Sequence, residues 1–234
     1  MESFVFKKYE SEGKILPTTK LFYDKYPFKV RAVTGILLSS YKWLFKRRTN
    51  GQFVEGVKQL YRARYTNNYG IPSDEIIADT YNLMKFVYTE DKKFKVRIEG
   101  QTVDIYTETA AGLIEVIDNL SKLTSVKIET VWKPLTTIEK GVMLVKGTPK
   151  FLHKATTKAH AKFSIEEKEA VFKYLSTFPE SEVKLTKAMI RSLQRPTRYS
   201  DGYFYFNDPS IITFITLMSP SFVNKIFDLV EIKG

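Results

Sequence analysis

The stretch FKVRIEGQTVDIYTETAAGLIEVIDNLSKLTSVKIETV, Phe94 to Val131, switches its hydrophobic period from two to helical and back, and the rest of the chain is read from it. Phe94, Val96 and Ile98 alternate with Lys95, Arg97 and Glu99. After a turn at Gly100 and Gln101, Val103 and Ile105 alternate with Asp104 and Tyr106. This predicts a β-hairpin with one apolar face. From Thr109 the stripe Leu113, Ile114, Val116, Ile117, Leu120 has helical spacing, and Val126, Ile128 and Val131 read as strand again. The result is ββαβ, whose apolar sheet face needs a helical cover. The opposite face carries Lys95, Arg97, Tyr106 and Lys127, three cations and an aromatic ring.

Toward the N-terminus, Tyr26 to Val33 alternates, with Phe28, Val30 and Ala32 on one side and Lys29 and Arg31 on the other. A helix is expected from Ile36 to Arg48, a second over about 52–65, and a third beginning at the N-cap Ser73. Residues 25–133 thus follow βαββαβ, the ferredoxin-like order, with extra helices in the first crossover. Residues 1–24 are polar and mixed in charge, and read as an arm or edge strand. Residues 134–149, with Pro134, Gly147, Pro149 and a strand candidate at Val142–Val145, read as a linker. Residues 150–234 nearly repeat the pattern. Ser164 and Glu167 form a capping box, Val183–Leu185 precedes a helix from Thr186, Tyr203–Phe206 is strand, and Asp208–Pro209 opens a last helix before a closing strand. The expected class is therefore α+β, with two ferredoxin-like units.

A chain of 234 residues with 43% hydrophobic and 14% aromatic content can bury a core in either unit. No apolar run approaches the ~20 residues that span a bilayer. The N-terminal residues have neither an apolar signal core nor a small-residue cleavage site. A cytoplasmic, nuclear or intravirion protein without a membrane partner is expected, and not a secreted one. Zero cysteines exclude disulfides, thiolate ligands and cysteine nucleophiles, and two histidines offer little for zinc, so no cofactor or metal is expected. Lys and Arg number 37 against 26 Asp and Glu, a net +11, which favours a polyanionic partner over mere solubility if the cations cluster.

They do cluster. Between Lys42 and Arg64 the chain has Lys42, Lys46, Arg47, Arg48, Lys58, Arg62 and Arg64 against one acid, Glu55. Phosphate contacts of this kind give affinity without sequence readout. Lys146, Lys150, Lys154, Lys158 and Lys162 recur every fourth residue in a segment free of acids. That spacing keeps one face on a strand or a helix, or belongs to a basic linker. Lys184, Lys187, Arg191, Arg195 and Arg198 lie opposite Leu185, Met189 and Leu193, a short basic amphipathic helix.

Gly202-Tyr203-Phe204-Tyr205-Phe206 resembles the RNP1 strand of RNA-recognition motifs, in which a glycine is followed by alternating aromatics that stack bases. Asp201, Phe204 and Asp208 depart from that pattern. Alternation turns only one of the pairs Phe204/Phe206 and Tyr203/Tyr205 inward, and the hydroxyl-bearing pair is the one expected to face solvent. In inferred layout the chain also resembles the tandem ferredoxin-like endonucleases that process CRISPR RNA, which would cast His153 or His160 as a general base, although no glycine-rich C-terminal loop is visible.

The leading expectation is a non-enzymatic binder of single-stranded RNA or DNA. Its candidate contacts are Lys29, Arg31, Lys95, Arg97, Tyr106, Lys127, Lys150, Lys154, Lys158, Lys187, Arg191, Arg195, Tyr203, Tyr205 and the seven cations from Lys42 to Arg64. Two alternatives stand beside it: a viral or phage virion component meeting a packaged genome or an acidic subunit of a nucleoprotein assembly, and a metal-independent endoribonuclease.

Overall fold

Alternating and helical stretches become strands and helices in two successive units, residues 1–137 and 138–234. The computed structural model describes residues 2–37, 50–64, 71–88, 94–158, 162–195 and 202–232. The fold is α+β, with seven helices and two five-stranded mixed sheets among the described residues.

The first unit runs α1 (Glu2–Ser11), β1 (Ile15–Thr18), β2 (Phe28–Val33), α2 (Asn50–Arg64), α3 (Asp74–Val87), β3 (Phe94–Glu99), β4 (Thr102–Thr107), α4 (Ala110–Leu120) and β5 (Lys127–Pro134). Its sheet order is β1-β5-β2-β4-β3. Every neighbouring pair is antiparallel except β1 with β5. The β3–β4 hairpin closes through Gly100, whose φ of +61° is costly for a residue with a Cβ. Ser73 and Thr109 cap α3 and α4 by accepting from the backbone N–H groups of Ile76 and Gly112. One sheet face, including Val30, Ala32, Val103, Ile105 and Val131, packs under Leu83, Met84, Leu113, Val116 and Ile117 of the helices, with Tyr9 of α1 in the same core. Residues 2–18, expected as an arm or edge strand, therefore supply both a helix and an edge strand to this unit.

The second unit runs β6 (Val142–Val145), β7 (His153–Thr157), α5 (Ile165–Leu175), β8 (Val183–Leu185), α6 (Lys187–Gln194), β9 (Tyr203–Phe206), α7 (Ser210–Met218) and β10 (Val223–Glu231). Its order is β6-β10-β7-β9-β8. The stretch expected as a linker thus contributes β6, held parallel to the end of β10. The capping box forms: Ser164 Oγ accepts from the Glu167 N–H while Glu167 accepts from the Ser164 N–H. Phe204, Phe206 and Ala155 pack beneath Val171, Leu175, Met189, Leu193 and Ile215.

The two sheets share one topology. Replacing β1, β5, β2, β4, β3 by β6, β10, β7, β9, β8 preserves every neighbour and every direction. They also share an irregularity. β5 carries an extra residue between Ile128, opposite Ala32, and Thr130, opposite Arg31. β10 carries one between Val223, opposite Thr157, and Lys225, opposite Thr156. A bulge leaves its extra residue unpaired and bends its strand, so a matched pair of bulges fixes an equivalence between the units residue by residue. Under it Lys29 corresponds to Lys154, Tyr106 to Tyr205, Trp132 to Phe227 and Lys95 to Lys184.

Candidate nucleic-acid interface

That equivalence exposes a repeated feature on the sheet face away from the helices. In the first unit Trp132, Lys29, Tyr106 and Lys95 lie directly opposite one another across β5, β2, β4 and β3. In the second unit Phe227, Lys154, Tyr205 and Lys184 do the same across β10, β7, β9 and β8. Each row reads aromatic, lysine, tyrosine, lysine. Directly opposed side chains in a sheet sit close enough to interact, so each row is a strip of alternating rings and ammonium groups.

In the first unit the middle of the strip is closed, while Lys95 at one end is exposed and Trp132 at the other is half-buried. Lys29 is 6% exposed and Tyr106 only 3%, which removes both from any surface that phosphate or a base can reach. The Lys29 ammonium lies 4.3 Å from the centroid of Trp132 and 2.9 Å from the Asp104 carboxylate, which also takes two hydrogen bonds from Arg31 at 2.8 and 3.1 Å. Burial alone would raise the Asp104 carboxyl, but the bonds from Arg31 and Lys29 more than reverse this and hold it below the usual carboxylate range. Burial likewise lowers the Lys29 ammonium, against the pull of Asp104. The Tyr106 hydroxyl is raised, first by burial and then by the Asp104 charge. Over this row the connection between β1 and β2 folds back, and Phe22, Tyr23 and Tyr26 set their rings 5.3, 4.9 and 6.4 Å from that of Tyr106. The Lys95 ammonium sits 3.7 Å from the Tyr23 ring centre. Arg97 pairs with Glu99. The face expected to meet phosphate through Lys29, Arg31, Lys95, Arg97 and Tyr106 is therefore largely satisfied from within.

In the second unit the strip is open. Tyr203 stands where Asp104 stands in the first, and the Lys154 ammonium lies 3.8 Å from the centre of its ring. Tyr203 and Tyr205 meet edge to face at 5.6 Å, and Phe151 stacks on Tyr205 at 5.8 Å. Lys154, Tyr203 and Tyr205 are half-buried, Lys184 is exposed, and Phe227 is buried at the far end. Burial and the neighbouring Tyr203 raise the Tyr205 hydroxyl, so it stays a neutral donor at physiological pH. Beyond the Lys184 end lies an open hollow of about 420 Å³ lined by Lys150, Phe151, Glu180, Ser181 and Lys184. Half-buried rings beside ammonium groups match what single-stranded nucleic acid offers, bases to stack and phosphates to neutralise.

The remaining candidates are dispersed. Lys42, Lys46, Arg47 and Arg48 lie outside the described residues, as do His160 and the side chain of Arg64. Lys58 is ion-paired with Asp74, while Arg62 is exposed, 4.0 Å from Glu55. Lys127 is exposed at the start of β5. The lysine ladder does not form one face. β7 spans only His153–Thr157, so Lys154 alone lies in the strand, with Lys150 before it and Lys158 exposed after it. Lys187, Arg191 and Arg195 form the exposed side of α6, whose Met189 and Leu193 enter the core. His153 lies on the helix side of the sheet, stacked on Phe206 with Nδ1 2.8 Å from Asp228, away from the tyrosine row. Sequence reading passed over Trp132, Phe151 and Phe227. Trp132 and Phe227 are marked only by cross-strand register, which spacing along one strand does not carry, and Phe151 lies ahead of β7, outside any strand.

Among the described residues no group of His, Asp and Glu side chains is arranged to hold a metal ion, and no helix is long and apolar enough to cross a membrane. No protein-family model matches the chain, and no curated protein matches its sequence.

Proposed function

We propose that this chain is a non-enzymatic nucleic-acid-binding protein of two ferredoxin-like (βαββαβ) units, which holds single-stranded RNA or DNA on the open sheet face of the second. The fold name rests on the strand order: setting aside the added edge strands β1 and β6, each sheet reads fourth, first, third, second, with antiparallel neighbours throughout. The function rests on one observation, the half-exposed row of Lys154, Tyr205 and Lys184 with Tyr203 beside it. Tyr203 and Tyr205 stack bases. Lys150, Lys154 and Lys184 neutralise phosphate, with Lys158, Lys187, Arg191 and Arg195 as more distant cations. The first unit, whose Lys29 and Tyr106 are buried, serves as scaffold and adds peripheral charge through Arg62 and Lys127.

The test is binding of labelled single-stranded RNA, single-stranded DNA and duplex DNA across a salt series. Tyr205→Ala is expected to cost roughly 1–3 kcal/mol with the salt slope unchanged. Lys184→Ala is expected to reduce the slope of log affinity against log salt by about 0.7. Absence of binding at low salt, or equal losses from Tyr106→Phe and Tyr205→Phe/Lys184→Ala, refutes the assignment to this face.

A further inference from the structure

The same equivalence marks a place on the helix side of the second unit that is covered in the first. In the first unit α1 lies beside α4 over β5: Tyr9 is in the core, Glu10 pairs with Lys133 at 2.6 Å, and the Lys133 ammonium lies 4.9 Å from the Phe6 ring centre. Beneath it Val131, Leu113 and Ile117 are buried. In the second unit Val131 corresponds to Ile226 and Lys133 to Asp228, and α7 takes the place of α4. Among the described residues no helix covers them there, and residues 138–141 ahead of β6 are not helical. Ile226 is 41% and Leu217 75% exposed. Together with His153, Ile212, Thr216 and Asp228 they line an open groove of about 490 Å³.

We infer that this groove docks a short, basic amphipathic α-helix from a partner protein, seated on the second unit as α1 is seated on the first. One topology covers its fourth strand with a ten-residue helix, and its repeat leaves the same apolar strip without one among the described residues. The charge argument identifies the occupant. Where α1 presents Glu10 to Lys133, the groove presents Asp228, its side chain 63% exposed and hydrogen-bonded to His153. A seated helix therefore carries Lys or Arg at the Glu10 position and aromatic residues at those of Phe6 and Tyr9. The α1 of a second copy would bring Glu10 against Asp228, two like charges, and is disfavoured.

The experiment uses the full chain and two fluorescein-labelled peptides of residues 1–13, one native and one with Glu10→Lys, followed by fluorescence anisotropy. The Glu10→Lys peptide is expected to bind at least about threefold more tightly than the native one, the scale of an exposed ion pair. Asp228→Lys in the chain is expected to reverse that order. Leu217→Asp, a change at an exposed position that leaves folding intact by circular dichroism, is expected to abolish binding of both peptides. The inference fails if neither peptide binds below about 1 mM, or if binding survives Leu217→Asp. It also fails if sedimentation shows a dimer that Leu217→Asp dissolves, since a second copy then fills the groove. Loss of oligonucleotide binding is not among these outcomes, because the groove and the tyrosine row lie on opposite faces of the sheet.

Discussion

Asp104→Asn is the sharpest probe of what closes the first unit's row. The substitution keeps the shape of the side chain and removes its charge, leaving one accepting oxygen where the carboxylate took bonds from Lys29, from Arg31 twice, and from the Tyr106 hydroxyl at 3.3 Å. Breaking a buried ion pair by deleting one partner costs about 3–5 kcal/mol. The Arg31 side chain is 39% exposed, so its share is that of a surface pair, about 0–1 kcal/mol. The cost falls mainly on Lys29, whose side chain is 8% exposed. We expect a loss of about 3 kcal/mol, a drop of roughly 10 °C in the Tm of a unit this size. Both tryptophans, Trp43 and Trp132, fall within residues 1–137, so urea unfolding followed by tryptophan fluorescence reads the first unit alone. Because Asp104 titrates below its unfolded value, its contribution is complete above the unfolded carboxyl pKa of about 3.9 and is lost as pH falls through the lower folded value. Asp104→Asn should therefore also flatten the acid limb of stability against pH. A loss under about 1 kcal/mol at pH 7, with the acid limb unchanged, would show that the pairing does not hold the row shut. Lys29→Met/Asp104→Leu, which removes both buried charges, is expected to lose less than Asp104→Asn alone.

Gly202→Ala should destabilise the second unit by roughly 1–3 kcal/mol, because its φ of +147° suits only glycine and a Cβ would sit 3.0 Å from the Met189 Cα; thermal unfolding followed by circular dichroism measures it. Ser164→Ala should cost about 1 kcal/mol in the same assay. Glu167→Ala should cost more, since Glu167 also accepts from the buried Ser219 hydroxyl at 3.0 Å and so ties the start of α5 to the end of α7. Removing corresponding lysines should separate the two rows: Lys184→Ala weakens oligonucleotide binding, whereas Lys95→Ala, which takes its ammonium from over Tyr23, leaves affinity within about twofold.

Much of the fold was legible because local rules and tertiary structure agree. The alternation in Phe94–Ile105, the stripe Leu113–Leu120 and the caps Ser73 and Ser164 each specify their element from adjacent residues alone. The edge strands were harder. Ile15–Thr18 and Val142–Val145 are four residues each, too short to establish a period, and they exist by pairing with β5 and β10. Helix α1 hid among charges because, among its described side chains, Phe6 and Tyr9, one turn apart, are the ones that join the core. The surface was legible only in part. Alternation places Lys29, Tyr106, Lys154 and Tyr205 on the face away from the helices, but whether that face meets water depends on residues 22–26 and on the neighbour at position 104 or 203, which no period along a strand encodes.

Why the two copies of one row differ follows from that neighbour. A lysine between two rings in a sheet needs either solvent or a counter-charge, since burying an unpaired ammonium is prohibitive. In the first unit Asp104 supplies the counter-charge, so Phe22, Tyr23 and Tyr26 can fold over the row and exclude water. Their packing is strong enough to hold Tyr23 at a φ of +53°, a conformation that costs a bulky residue of order 1–3 kcal/mol. In the second unit Tyr203 stands at that position, a ring in place of the carboxylate. The shorter connection there sets down Phe151 on Tyr205. Lys154, Tyr203 and Tyr205 thus stay half-buried where Lys29 and Tyr106 are buried, which is the physical reason for proposing the ligand on the second unit and not on both.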